Sequence, residues 1–248
     1  MQPLNTNPSR KIKSVLIANR SEIAIRVMRA ASEMDIRTVA IYSREDRLAL
    51  HRFKSDESYL VGEGKKPLQA YLDIDDILRI ARAAKVDAIH PGYGFLSENP
   101  DFAEAVIAAG IEWIGPRPEV MRTLGNKVAA RNAAVAAGVP VMPATPPLPQ
   151  SLDECKNLAA SIGYPLMLKA SWGGGGRGMR IIRTEAEMPE ALAAARREAL
   201  AAFGNDEVYF EKLVERARHV EVQILGDRHN NVVTYSSVTA LYSAVTRK

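Results

Sequence analysis

Lys169-Ala170-Ser171-Trp172 leads into Gly173, Gly174, Gly175 and Gly176, followed by Arg177-Gly178-Met179-Arg180. A lysine ahead of four consecutive glycines suits the holding of a polyanion. Without Cβ atoms in the way, glycine N–H groups can lie against phosphate oxygens. Lys169 can add a point charge to the same phosphates. Neither standard dinucleotide motif fits, because no helix opens directly after the glycines and no Gly-Lys-Ser/Thr follows them. An incidental hairpin tip would also be glycine-rich, but a solvent linker would not sit between two apolar runs. A second stretch, from His90-Pro91-Gly92-Tyr93-Gly94-Phe95 to Leu96-Ser97-Glu98-Asn99, gathers an imidazole, glycines and aromatics in one loop. It reads equally as ligand-facing or as structural. In a third stretch His219, Glu221 and Gln223 alternate with Val220, Val222 and Ile224. That polar row is either solvated or turned toward a cleft. Cys155, the single cysteine, excludes an internal disulfide and reads as a semi-buried helix thiol rather than a nucleophile.

The elements that must position these residues follow from periodicity. The apolar runs at 164–169 and 179–183 predict strand, glycine loop, strand. Upstream, 14–19 reads as a strand and 21–34 as a helix, with Ile23, Val27, Ala30, Ala31 and Met34 on one face and Ser21 placed to cap it. Strands at 38–42, 57–61, 87–90 and 111–114 alternate with helices at 73–84 and 99–109. Such alternation implies a parallel sheet with helices on its faces, whose ligands sit beyond the carboxyl ends of the strands. Pro116 to Pro118 marks a boundary, followed by helices at 120–124 and 126–137. Five prolines within 138–149 predict an extended linker. A helix at 152–162 precedes the glycine unit and one at 185–202 follows it. The segments 207–214 and 218–225 then read as adjacent antiparallel strands.

Composition sets outer bounds. A chain of 248 residues with 47% apolar and 25% charged residues has ample core for one large or two modest soluble domains. A net charge of +4, spread rather than blocked, does not argue for nucleic acid. No run approaches the roughly 18 apolar residues of a membrane span. Residues 1–12 read as a polar, disordered leader with neither a signal-peptide core nor an Arg-rich amphipathic pattern. A cytoplasmic protein is expected.

Four motifs taken together resemble the biotin carboxylase family: Ala18-Asn19-Arg20-Ser21-Glu22-Ile23-Ala24, the loop from His90 to Asn99, Lys169-Ala170-Ser171 with the glycine run, and Glu211-Lys212 with Arg218 to Gln223. The segments Ala40 to Asp46, Tyr59 to Gly62 and Ala70 to Ile74 resemble its pyruvate carboxylase branch more than its acetyl-CoA carboxylase branch. The resemblance, from about Lys13 to Val233, implies an α/β fold: a Rossmann-like pre-ATP-grasp domain at 13–125, then an incomplete ATP-grasp domain at 126–233. It implies MgATP-driven (or MnATP-driven) activation of bicarbonate and carboxylation of biotin carried on a separate carrier domain, the first half-reaction of pyruvate carboxylation. It also implies a homo-oligomeric parent that binds neither nucleic acid nor membrane. By motif, Lys127 and Lys169 resemble the family's nucleotide-phosphate lysines, and Gly175 and Gly176 the centre of its phosphate-covering loop. Glu211, Lys212, Leu213 and Val214 resemble the strand whose backbone meets adenine. His219 resembles a nucleotide-site histidine and Tyr93 an aromatic near the biotin pocket. An unrelated ATP-grasp ligase would not show the His90 loop beside this glycine run.

The resemblance stops at Val233. The family continues with a segment like His-Leu-Phe-Glu-Arg-Asp-Cys-Ser-Val-Gln, whereas this chain reads Thr234-Tyr235-Ser236-Ser237-Val238-Thr239 and ends at Lys248. Codons can be written for the family segment that, with the first base removed, encode the whole of 234–248 and then a stop. On this reading 234–248 is an aberrant tail that packs poorly. The family's metal-binding carboxylates, bicarbonate-binding residues and general base would lie beyond it. The expectation is therefore no catalytic or metal-ligating residue here, and no turnover by this chain alone.

Overall fold

The computed structural model describes residues 11–172, 179–215, 220–227, 229, 231–234 and 238–239. The chain divides into two compact units, one ending at Arg122 and the other starting at Thr123.

The first unit is built on five parallel strands: β1 (Ser14–Ile17), β2 (Arg37–Tyr42), β3 (Glu57–Leu60), β4 (Ala88–His90) and β5 (Glu112–Trp113). Their order is β3-β2-β1-β4-β5, so the direction of winding reverses between β1 and β4. The connecting helices are α1 (Ser21–Glu33), α2 (Leu50–Lys54), α3 (Pro67–Ala70), α4 (Ile74–Ala83) and α5 (Pro100–Ala108). Asp73 caps α4 by accepting from Asp76 N, and Asn99 caps α5 by accepting from Phe102 N. Leu16, Val39, Ile41 and Ile89 pack on one side of the sheet against Ile77, Ile80, Phe102 and Trp113. Val15, Ile17, Ala40 and Ala88 pack on the other side with Ala24, Met28 and Ala31 of α1.

Two expectations for α1 are corrected. Its buried stripe is Ala24, Met28 and Ala31, whereas Met34 is 69% exposed and Ala30 is exposed as well. The expected face was right in Ala31, which is buried, and Val27, which packs partly against the core, but it left out Ala24 and Met28. Ser21 does not cap it either. It is the first helical residue, at φ +52°, and Arg20 holds the cap position without a side-chain bond. The short helices α2 and α3 escaped notice because neither is long enough to show a period.

α6 (Pro118–Gly125) runs across the boundary. The second unit contains α7 (Lys127–Ala136), α8 (Leu152–Ile162), β6 (Leu166–Ala170), β7 (Arg180–Ile182), α9 (Met188–Phe203) and β8 (Val208–Lys212). β6 lies between β7 and β8 and is antiparallel to both. Leu166, Leu168, Ala170, Ile182, Val208 and Phe210 cover one face with Cys155, Ala159, Leu192, Ala195 and Ala199 of α8 and α9. The proline-rich 138–149 is more than a linker. Thr145 N and Leu148 N donate to Phe210 O and Val208 O, and Lys212 N donates to Pro143 O. The segment therefore satisfies the outer edge of β8, which would otherwise be an open sheet edge.

Among the described residues, the strands expected at 207–214 and 218–225 are not paired with each other. β8 pairs with β6, while β9 (Val220–Glu221) pairs with β12 (Val238–Thr239) and β10 (Ile224–Gly226) with β11 (Val232–Thr234). Val220, Val222 and Ile224 are each more than half exposed. Period-2 alternation marks strand conformation but does not choose the partner. Of the tail at 234–248, only Thr234, Val238 and Thr239 are among the described residues.

Candidate functional site

Alternation along β6 and β8 separates two faces. Residues 166, 168 and 170 enter the core, which turns Met167 and Lys169 to the opposite face. On β8, Val208 and Phe210 enter the core, and Tyr209 and Glu211 share the face of Lys169. Lys169 stands directly across from Tyr209, and Met167 across from Glu211. Lys169 Nζ lies 2.5 Å from Glu211 Oε1, a diagonal cross-strand ion pair with both side chains about four-fifths buried. Tyr209 OH donates to Glu211 Oε2 at 3.5 Å. Burial, and then the neighbouring Glu211 carboxylate, push the Tyr209 phenol well above its usual range, with Arg131 of α7 pulling the other way.

The lysine-bearing end of β6 meets the start of α7. Lys127 N donates to Ser171 O at 3.0 Å, Ser171 N donates to Glu207 O at 3.0 Å, and Asn126 caps α7 through Ala129 N. These bonds fix the start of α7 beside the point where the chain enters the glycine run. Ser171 is fully buried and, among the described residues, its Oγ has no hydrogen-bond partner. A buried hydroxyl left unpaired is costly, which makes this one notable beside the entry to the glycine run. Trp172, the next residue, is 39% exposed.

The other expected site residues are distributed as follows. Lys212 Nζ donates to Gly163 O at 2.9 Å and Tyr164 O at 3.0 Å, closing the carboxyl end of α8. Leu213 N donates to Pro165 O at 3.3 Å, and Val214 is exposed. Gly175, Gly176 and His219 lie outside the described residues. Among the described residues, no cluster of three His, Cys, Asp or Glu side chains is placed to hold a metal ion.

Tyr93 belongs to the first unit and projects from the loop after β4. It is 56% exposed, and its OH donates to Glu22. Asn19 was missed as a candidate, yet this fully buried residue organises the loop. Its Nδ2 donates to Pro91 O at 2.7 Å and Tyr93 O at 2.9 Å, while its Oδ1 accepts from Arg20 N at 2.9 Å. A Cβ on Gly92, at φ +67°, would lie 2.6 Å from Ile23 Cγ2 and 2.7 Å from Asn19 Nδ2. The crevice at the reversal of winding, where a doubly wound sheet ordinarily receives its ligand, is thus filled by the chain's own Asn19 and Gly92. His90 supports the same loop, since its Nδ1 accepts from Gly92 N at 2.9 Å. Burial pushes the His90 imidazole below its usual range. The signal for Asn19 was its place, a lone amide at the end of an apolar strand.

A second network fixes the neighbouring loops. Asp46 accepts from Arg20, with Nε at 2.5 Å, and from Tyr71 OH at 2.6 Å. Burial pushes the Asp46 carboxyl up, but these hydrogen bonds and the guanidinium charge outweigh it and hold the carboxyl below its usual range. Tyr71 stacks on Phe95 of the His90 loop with ring centroids 5.2 Å apart.

A doubly wound α/β domain with a filled crevice, followed by an antiparallel sheet that presents a lysine at the mouth of a glycine run, is the layout of a pre-ATP-grasp domain joined to an ATP-grasp domain. Two family descriptions match in the same order. Residues 11–121 match the biotin carboxylase N-terminal domain, and residues 126–247 match the ATP-binding domain of the carbamoyl-phosphate synthase L chain. The chain belongs to the biotin carboxylase family. It is 56% identical over 222 residues to the pyruvate carboxylase of Bacillus subtilis, an alignment covering 90% of this chain and 19% of that protein. Among solved structures it is similar to a Rhizobium etli pyruvate carboxylase with acetyl coenzyme A (TM-score 0.85, 61% identity, 91% of this chain and 20% of that one). It is also similar to the biotin carboxylase domain of the Hydrogenobacter thermophilus 2-oxoglutarate carboxylase, in complex with MgADP, ADP and bicarbonate (TM-score 0.88, 42% identity, 92% of this chain and 50% of that one). The chain thus spans about a fifth of the length of the curated relatives it matches. The match to the ATP-binding domain continues through residue 247, past the Val233 limit read from motifs.

Proposed function

We propose that this chain supplies the nucleotide-binding part of a biotin carboxylase acting within a pyruvate carboxylase. In the reaction, ATP energy drives bicarbonate onto biotin, and the carboxyl group then passes to pyruvate. The observation that carries the reading is the face of the second unit's sheet that bears Lys169, where the start of α7 and Ser171, whose hydroxyl has no partner among the described residues, lie beside the entry to the glycine run. ATP fits these residues. Lys169 and the Ser171 hydroxyl supply a charge and a donor for phosphate oxygens, and the glycine run supplies backbone donors by its sequence. Lys127 is proposed as a second phosphate lysine, the 211–214 backbone as the adenine edge, and Tyr93 as a residue near biotin. Magnesium would arrive with ATP and neutralise phosphate charge. The proposed partners are the rest of the parent carboxylase with its biotin-carrying domain, in a homo-oligomer.

The test is calorimetric titration of the purified chain with MgATP, together with bicarbonate-dependent ATP turnover using free biotin. Saturable ATP binding with no turnover by the chain alone is expected. Absence of binding at millimolar ATP would refute the reading.

A further inference from the structure

In the reading above Lys169 serves phosphate, yet the structure commits its ammonium to a carboxylate on the neighbouring strand. Glu211 Oε1 is 2.5 Å from Lys169 Nζ, both side chains are only about a fifth exposed, and Tyr209 OH steadies the second carboxylate oxygen at 3.5 Å. Nothing about the strand pairing demands this arrangement. Met167, not Lys169, faces Glu211 in the register, so the lysine reaches diagonally to the carboxylate. A phosphate drawn to Lys169 would meet the Glu211 charge at the same spot, and like charges that close repel strongly in a partly dehydrated site.

We infer that Glu211 is a resident counter-ion for Lys169, displaced when a polyphosphate binds, so that anion entry is an exchange rather than a simple addition. The inference rests on the nucleotide-site reading of Lys169. Its consequence is selectivity. A ligand with several phosphates can offset the lost ion pair through its further contacts, whereas a single small anion offers too little in return. Glu211 acts through Lys169 and is a positioning residue. Its carboxylate weakens the intrinsic affinity for phosphate and keeps the lysine aligned while no ligand is present.

The experiment titrates the full chain with inorganic tripolyphosphate and with ATP. Wild type is compared with Glu211→Gln, Glu211→Asp, Lys169→Met and the Lys169→Met/Glu211→Gln double variant. Glu211→Gln is expected to tighten tripolyphosphate roughly fivefold, the upper range for a partly exposed ion pair. The gain should vanish when Glu211→Gln is introduced into Lys169→Met, which a merely structural role for Glu211 would not produce. Glu211→Asp, with its shorter reach, should give a smaller gain in the same direction, and it serves if the Gln variant does not fold. Unchanged or weaker tripolyphosphate binding in the Glu211 variants, with ATP still bound by wild type, would overturn the counter-ion role and leave the nucleotide reading standing. Failure of wild type to bind either ATP or tripolyphosphate would overturn both.

Discussion

Replacing Asn19 tests whether one buried amide locks the loop after β4. Asn19→Ala removes three hydrogen bonds at 2.7–2.9 Å: two donated to Pro91 O and Tyr93 O, and one accepted from Arg20 N. Asn19 itself is fully buried, so water cannot easily replace the lost partner. Each bond contributes about 1 kcal/mol net, and a buried group left unpaired costs about 1–3 kcal/mol. A total near 3 kcal/mol follows, allowing for relaxation at the partly exposed Tyr93. With a urea m-value of roughly 1–2 kcal/mol/M for a unit of this size, the midpoint should fall by about 1.5–3 M. The assay is tryptophan fluorescence in a Trp172→Phe background. The chain has two tryptophans, and Trp113 is buried in the first unit, edge-on to Phe102 with its Nε1 donating to Pro116 O. Asn19→Asp should be worse than Asn19→Ala at neutral pH, because it points carboxylate oxygens at two carbonyl oxygens. A midpoint shift below about 0.5 M for Asn19→Ala, or an Asp variant as stable as wild type, would refute the reasoning.

Three further outcomes are expected. His51 and His90 both sit below the usual histidine pKa, chiefly through burial. Both are therefore neutral when folded and protonate more readily when unfolded. Their contribution is intact above about pH 6.5 and is lost as pH falls from there toward the folded values, at up to about 1.4 kcal/mol per pH unit for each. Urea midpoints of the first unit, again read at Trp113, should drop between pH 7 and 5, and a flat profile would contradict the neutral assignments. Gly62→Ala should destabilise far more than Gly94→Ala: both have positive φ, but a Cβ at Gly62 meets Ala70 Cα at 2.4 Å whereas at Gly94 it meets open space. The open site should cost about 1 kcal/mol and the crowded one several-fold more in the same urea titration. Finally, the Cys155 thiol is buried and raised in pKa, mainly by burial, so a disulfide reagent should label it only as the second unit unfolds in urea. Rapid labelling in buffer would show that α8 is not packed as described.

Much of this fold was legible because its signals are local. The strands of the first sheet and the helices opening near Asp73 and Asn99 depend on residues near one another in sequence, and all of them form. What escaped depends on distant partners. The contacts of Asn19 with Pro91 and Tyr93 span more than seventy residues, and no periodicity announces them. The docking of 143–148 along β8 and the pairing of β8 with β6 are likewise choices of partner made by tertiary packing. In the candidate site, Lys169 was readable from its place before the glycines. The Glu211 carboxylate was not, since resemblance directed attention to that strand's backbone rather than to its side chain. Ser171 stood inside one of the motifs, but only its burial shows that its hydroxyl has no partner among the described residues.

The most direct test of the central claim asks which unit holds the nucleotide. The chain would be photolabelled with azido-ATP, with and without excess ATP, and the labelled peptides mapped. The account predicts ATP-protected label confined to the second unit, in peptides spanning 164–183 or 207–215, and none in the first unit, whose crevice Asn19 and Gly92 fill. Protected label on 19–22 or 90–95 would contradict it.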